Sequence, residues 1–167
     1  MGRVYRHLKH HERASEAFKR AIEIDDSNSL VWLELGNLHY ILKDYKRAIR
    51  AYRRVLELDP TILTTWKQLG GIYMKMGDYD KAIEKYQDAY KTNPKSSSFL
   101  IHLSYLYRKT GDFKNAFKMI KEYINDHPED LIGWVNLGNI YNEKGDFQRA
   151  VEIWTCRDFN ELTALIS

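Results

Sequence analysis

The sequence predicts an all-α chain, a solenoid of antiparallel helix pairs with about 4.5 units of 34 residues each. Three observations predict it. The three prolines, Pro60, Pro94 and Pro128, stand 34 residues apart. Alanine returns at the same interval, at Ala14, Ala48, Ala82, Ala116 and Ala150. An acid followed by a ring keeps the same step, as Asp44-Tyr45, Asp78-Tyr79, Asp112-Phe113 and Asp146-Phe147. One helix pair cannot bury its own apolar face, so such units must stack on their neighbours.

Each element follows from the pattern inside one period. Trp66, Leu69, Ile72, Tyr73 and Met76 fall at helical spacing and predict the first helix of a pair. Gly77 ends it, because glycine accepts the left-handed conformation that closes a helix. Asp78 stands where a carboxylate caps the second helix. Tyr79, Ala82, Ile83, Tyr86, Ala89 and Tyr90 form that helix's apolar stripe. Asn93 ends it, since the residue before a proline resists the helical region. Trp32, Trp66 and Trp134 share a column with Leu100, and Gly36, Gly70 and Gly138 share one with Ser104. Gly70 and Ala82 are expected at matching depths, drawing the helix axes to the short end of the usual ~8–10 Å.

In this frame the chain is a single array. Residues 29–62, 63–96 and 97–130 are full repeats. Residues 1–28 lack the first six positions of a repeat. Residues 131–157 begin as a repeat and then drift, and 158–167 are expected as a short capping helix or a tail. The shortened first unit is expected to be either the cut edge of a longer array, or a late start, or a polar cap faced by His10 and His11.

Composition bounds the function. A formal charge of +3 over 167 residues is too mild for a nucleic-acid binder. Residues 29–96 carry the basic excess, and 131–167 lean slightly acidic. No apolar run is long enough for a membrane span. The one cysteine, Cys156, cannot form an internal disulfide, so a reducing, cytoplasmic setting is expected. No enzyme is expected either. His7 and His11 have i, i+4 spacing that can hold a metal, but no third ligand is spaced to help, so no metal site is expected. Cys156 has no histidine nearby in sequence, and the Gly70-Gly71 pair follows no strand, which leaves no nucleophile, no phosphate loop and no cofactor.

The columns resemble the tetratricopeptide repeat family. Residues 63–96 carry its pattern through Trp66, Leu69, Gly70, Tyr73, Gly77, Ala82, Tyr86, Ala89 and Pro94. The resemblance covers nearly the whole chain. It implies a right-handed α-solenoid and a scaffold that binds a peptide or protein segment. It also implies that the first helix of each pair lines a concave groove. Carried over by frame, the partner-binding residues are Asn37, Tyr40, Lys67, Gln68, Met74, Lys75, His102, Tyr105, Arg108, Lys109, Asn136 and Asn139. Lys67, Lys75, Arg108 and Lys109 give the two middle repeats a basic face without an acid, which suits an acidic partner segment. Tyr40, Met74 and Tyr105 are apolar anchors, and the asparagines can bond a peptide backbone. The terminal-carboxylate clamp of some co-chaperones in this family is not expected. Its first possible frame holds Leu33, Asn37, Gln68, Ser98 and His102, of which only Asn37 fits.

Two other readings stay open at this point. The chain could be a regulatory or targeting segment of a larger enzyme. It could also be a structural array whose open ends stack on copies of itself.

Overall fold

The computed structural model describes residues 11–156. Among the described residues there are nine α-helices and no strand. They are α1 (His11–Ile24), α2 (Ser29–Ile41), α3 (Tyr45–Leu58), α4 (Leu63–Lys75) and α5 (Tyr79–Thr92), then α6 (Ser98–Lys109), α7 (Phe113–Asp126), α8 (Leu131–Lys144) and α9 (Phe147–Thr155). The second helices open on His11, Tyr45, Tyr79, Phe113 and Phe147, in step with the 34-residue period. The fold is the all-α helical repeat of the solenoid class. The expected cap at 158–167, and the histidines His7 and His10, lie outside the described residues.

The turns inside each pair are built from the backbone. Gly77, Gly111 and Gly145 adopt φ of 75°, 79° and 91°, the left-handed conformation that ends α4, α6 and α8. Lys43 occupies the same column with φ 58°. The amide of the next aspartate then reaches back into the helix just closed. Asp44, Asp78, Asp112 and Asp146 donate to the carbonyls of His39, Tyr73, Tyr107 and Tyr141 at 2.8–2.9 Å. The Asp44, Asp112 and Asp146 carboxylates also cap the next helix, accepting from the backbone N–H three residues on at 3.1, 3.1 and 3.3 Å. One residue thus closes one helix and opens the next.

The turns between pairs are held by tryptophan. The Trp32, Trp66 and Trp134 indoles donate to the carbonyls of Asp26, Pro60 and Pro128, each six residues upstream, at 2.9, 2.9 and 2.7 Å. Asp25 and Asp59 fold two of these turns by accepting from the amide and hydroxyl of Ser27 and Thr61. Those bonds hold both carboxyls below their ordinary pKa.

The described residues divide into two compact units, with the boundary between Asp78 and Tyr79. In the first, Ala14 and Phe18 pack with Leu35 and Leu38, while Ala48 and Tyr52 pack with Leu69 and Ile72. In the second, Leu100, Ala116, Ile120, Tyr123, Ile124, Trp134, Leu137, Ile140 and Ile153 form one core. Each fully buried large side chain of this kind contributes roughly 1.5–3 kcal/mol.

The glycine column has a sharper cause than close helix axes alone. A Cβ on Gly36 would lie 2.6 Å from the Tyr52 ring, and one on Gly138 would lie 2.2 Å from the Trp154 indole. In the third repeat the ring column holds Ile120 instead, and Ser104 replaces the glycine. The Ser104 hydroxyl donates to the Ala116 carbonyl at 3.0 Å, which satisfies a buried polar group. Glycine therefore follows the ring it must admit.

Candidate partner-binding face

The first helices of the repeats, α2, α4, α6 and α8, carry all twelve expected partner-binding residues. In the first unit these are Asn37 and Tyr40 on α2, and Lys67, Gln68, Met74 and Lys75 on α4. The structure brings Tyr40 and Lys75 together. The Lys75 ammonium sits 4.8 Å from the centre of the Tyr40 ring, a cation–π contact between α2 and α4. Hydrogen bonding to Tyr40 raises the Lys75 pKa. Lys67 is exposed, while Gln68 and Met74 are half-buried. Asn37 is committed inward, because its Oδ1 accepts from the Tyr52 hydroxyl at 2.8 Å.

Gly71 lies between Lys67 and Lys75 on α4, and a Cβ there would meet nothing within 4 Å. Glycine in a helix interior costs about 1 kcal/mol relative to alanine. At Gly36 and Gly138 a ring explains that cost; at Gly71 nothing among the described residues does.

In the second unit the face is carried by α6 and α8. Tyr105, Arg108 and Lys109 form one cluster on α6, with the Arg108 guanidinium 5.4 Å and the Lys109 ammonium 5.8 Å from the Tyr105 ring centre. The expected face without an acid is corrected here. Glu143 of α8 binds Arg108 directly and lies 3.7 Å from Lys109. Only 10% of the Arg108 side chain stays accessible. The cluster is thus a tyrosine under a shared ion pair rather than two available cations. Its signal was present in the sequence, since Glu143 stands 34 residues after Lys109, in the column of Lys75 and Lys109.

Two other expected residues are engaged within the fold. His102 stacks on Tyr86 with ring centres 4.7 Å apart, and its Nδ1 bonds the Ser98 carbonyl at 2.8 Å. Asn136 donates from Nδ2 to the Ile132 carbonyl of its own helix at 2.8 Å, which leaves its Oδ1 as the acceptor. Asn139 is half-buried. Among the described residues, no group of three or more His, Cys, Asp or Glu side chains could hold a metal ion. No described helix is long and apolar enough to cross a membrane.

Family models match along the chain. Tetratricopeptide repeat models match residues 29–62, and residues 1–28 and 133–153. The model of YpiA-like, C-terminal tetratricopeptide repeats matches residues 63–130. No curated protein matches the sequence at a significant level. Solved structures do share the fold. A crystal structure of MamA is 22% identical, with 92% of this chain and 90% of that one covered at a TM-score of 0.78. MamA 41-end from Desulfovibrio magneticus RS-1 is 19% identical, covering 92% and 91% at 0.74. The crystal structure of YrrB, described as a TPR protein with an unusual peptide-binding site, is 19% identical, covering 91% and 78% at 0.72. With its repeat columns, its helix pairs and these matches in agreement, the chain belongs to the tetratricopeptide repeat family.

Proposed function

We propose that the chain is a non-catalytic protein-interaction scaffold that takes a peptide or protein segment against the faces of its first helices. The observation that carries this reading is Gly71. A mid-helix glycine without an internal neighbour leaves bare backbone between two lysines, Lys67 and Lys75, where a partner's main chain can come close. Tyr40 beside Lys75 supplies a ring for an apolar contact, and the lysines favour an acidic segment.

The test changes Lys67 and Lys75 together to Glu, on the exposed side of α4. Co-purifying proteins are identified by mass spectrometry, and melting is followed in parallel. Loss of the partners with an unchanged melt supports the reading. Partners that survive the double change place binding elsewhere.

A second reading, self-association, rests on α9. Phe147, Val151 and Trp154 are 64%, 53% and 45% exposed at i, i+4 and i+7, an apolar stripe on the last described helix. Light scattering over a range of concentrations tests it, and a mass independent of concentration would exclude it.

A further inference from the structure

The end of α2 and the turn into α3 depart from their counterparts in the later repeats. The tip is apolar, with Ile41 and Leu42 52% and 47% exposed. The same two columns read Lys75-Met76, Lys109-Thr110 and Glu143-Lys144 further along the chain. Lys43 follows at φ 58°, where the later repeats place glycine. Its side chain is exposed and forms no ion pair among the described residues. Backbone strain kept for a side chain without an internal partner points to something that the ammonium meets in another body.

Charge gathers at the same place. Residues 41–56 hold six cations and one acid. The same positions hold three cations and four acids at 75–90, four and two at 109–124, and three and four at 143–158. Helix pairing therefore does not require the excess. Lys46, Arg47 and Arg50 lie exposed in the first two turns of α3, directly after the tip. Arg47 meets Asp44 at 3.4 Å and is still 65% exposed. Lys46 and Arg50, like Lys43, form no ion pair among the described residues.

The combination selects the occupant. An acidic peptide would use the cations but not two adjacent aliphatic side chains held out in water. An anionic bilayer uses both, since its hydrocarbon takes the aliphatic tip while the cations stay at the depth of the headgroup phosphates. We propose that this turn docks the first unit on an anionic lipid surface, with Ile41 and Leu42 inserted and Lys43, Lys46, Arg47 and Arg50 against the headgroups. The attachment is reversible, because a short apolar tip and a basic patch are each weak alone. It uses none of the residues that carry the proposed peptide-binding face, so either reading can fail without the other.

The test is co-sedimentation of the full chain with two sets of vesicles, phosphatidylcholine alone and phosphatidylcholine with phosphatidylglycerol in equal parts. Binding is expected to the second set and not to the first, and it should weaken as salt is added. Ile41→Ser with Leu42→Ser removes the tip and should weaken vesicle binding about tenfold. Lys46→Ala with Arg50→Ala, both at exposed positions, should weaken it by roughly the same factor with an unchanged melt. A soluble polyglutamate peptide is expected to bind more weakly than the vesicles, and equally to the parent and the double serine variant. No binding to the anionic vesicles, or vesicle binding left unchanged by either double variant, would overturn the proposal. Polyglutamate bound as tightly as the vesicles would overturn it in favour of an acidic protein.

Discussion

The indole of Trp134 donates to the carbonyl of Pro128 at 2.7 Å, and so ties the start of α8 to the turn that precedes it. The ring is 2% exposed, so the bond lies beside a well-packed core. Trp134→Phe removes the donor and part of the ring. It should cost ~1–3 kcal/mol, read as a lower urea midpoint. Trp32→Phe, at a half-buried position with the same bond, should cost less.

Gly36→Ala places a methyl against the Tyr52 ring and should destabilise by about 1–3 kcal/mol. Adding Tyr52→Ile should recover part of the loss, because the third repeat already combines Ile120 with Ser104. Gly71→Ala has no such neighbour and should be neutral or more stable by up to ~1 kcal/mol. Equal losses at Gly36 and Gly71 would contradict the ring explanation of the column.

Lys43 holds a left-handed conformation that its three counterparts meet with glycine. Lys43→Gly should raise stability by about 0.5–1 kcal/mol, measured by thermal melting. A lower melting point would show that the lysine side chain supplies more than the backbone strain removes.

His39 makes stability depend on pH in a defined direction. Burial lowers its pKa below 6.5, Asp44 opposes that, and Arg47, Lys19 and Arg50 reinforce it. The unfolded chain therefore binds the proton more readily than the folded one. The contribution is complete above the unfolded value and is lost as pH falls below it, toward the folded one. Denaturation midpoints of the parent should drop between pH 7 and pH 5 by more than those of His39→Gln. Parallel curves would remove His39 as the cause.

Glu143 restrains the cations of the second unit. Glu143→Gln should free Arg108 and Lys109 and tighten binding of a fluorescent polyglutamate peptide, followed by anisotropy. The gain should fade with added salt. Unchanged anisotropy would mean that these two side chains do not meet an acidic segment.

What the sequence made legible was local or periodic. Helix starts at Tyr45, Phe113 and Phe147 follow from aspartate caps, and for the last two from glycine stops two residues earlier. The same register puts the twelve expected residues on the first helices of the repeats. Their availability was not legible, because it depends on contacts far apart in the chain. Arg108 meets Glu143 across 35 positions, and Asn37 meets Tyr52 across 15.

Leucine at position 100 has a mechanical corollary. Its side chain carries no N–H, so no indole fastens the junction at Pro94 between α5 and α6. A water-exposed link stands in nearby, Ser97 Oγ to His127 Nε2 at 2.6 Å. That hinge is the place where heat, a protease or a pulling force should first prise the second unit open, with the tethered junctions yielding later.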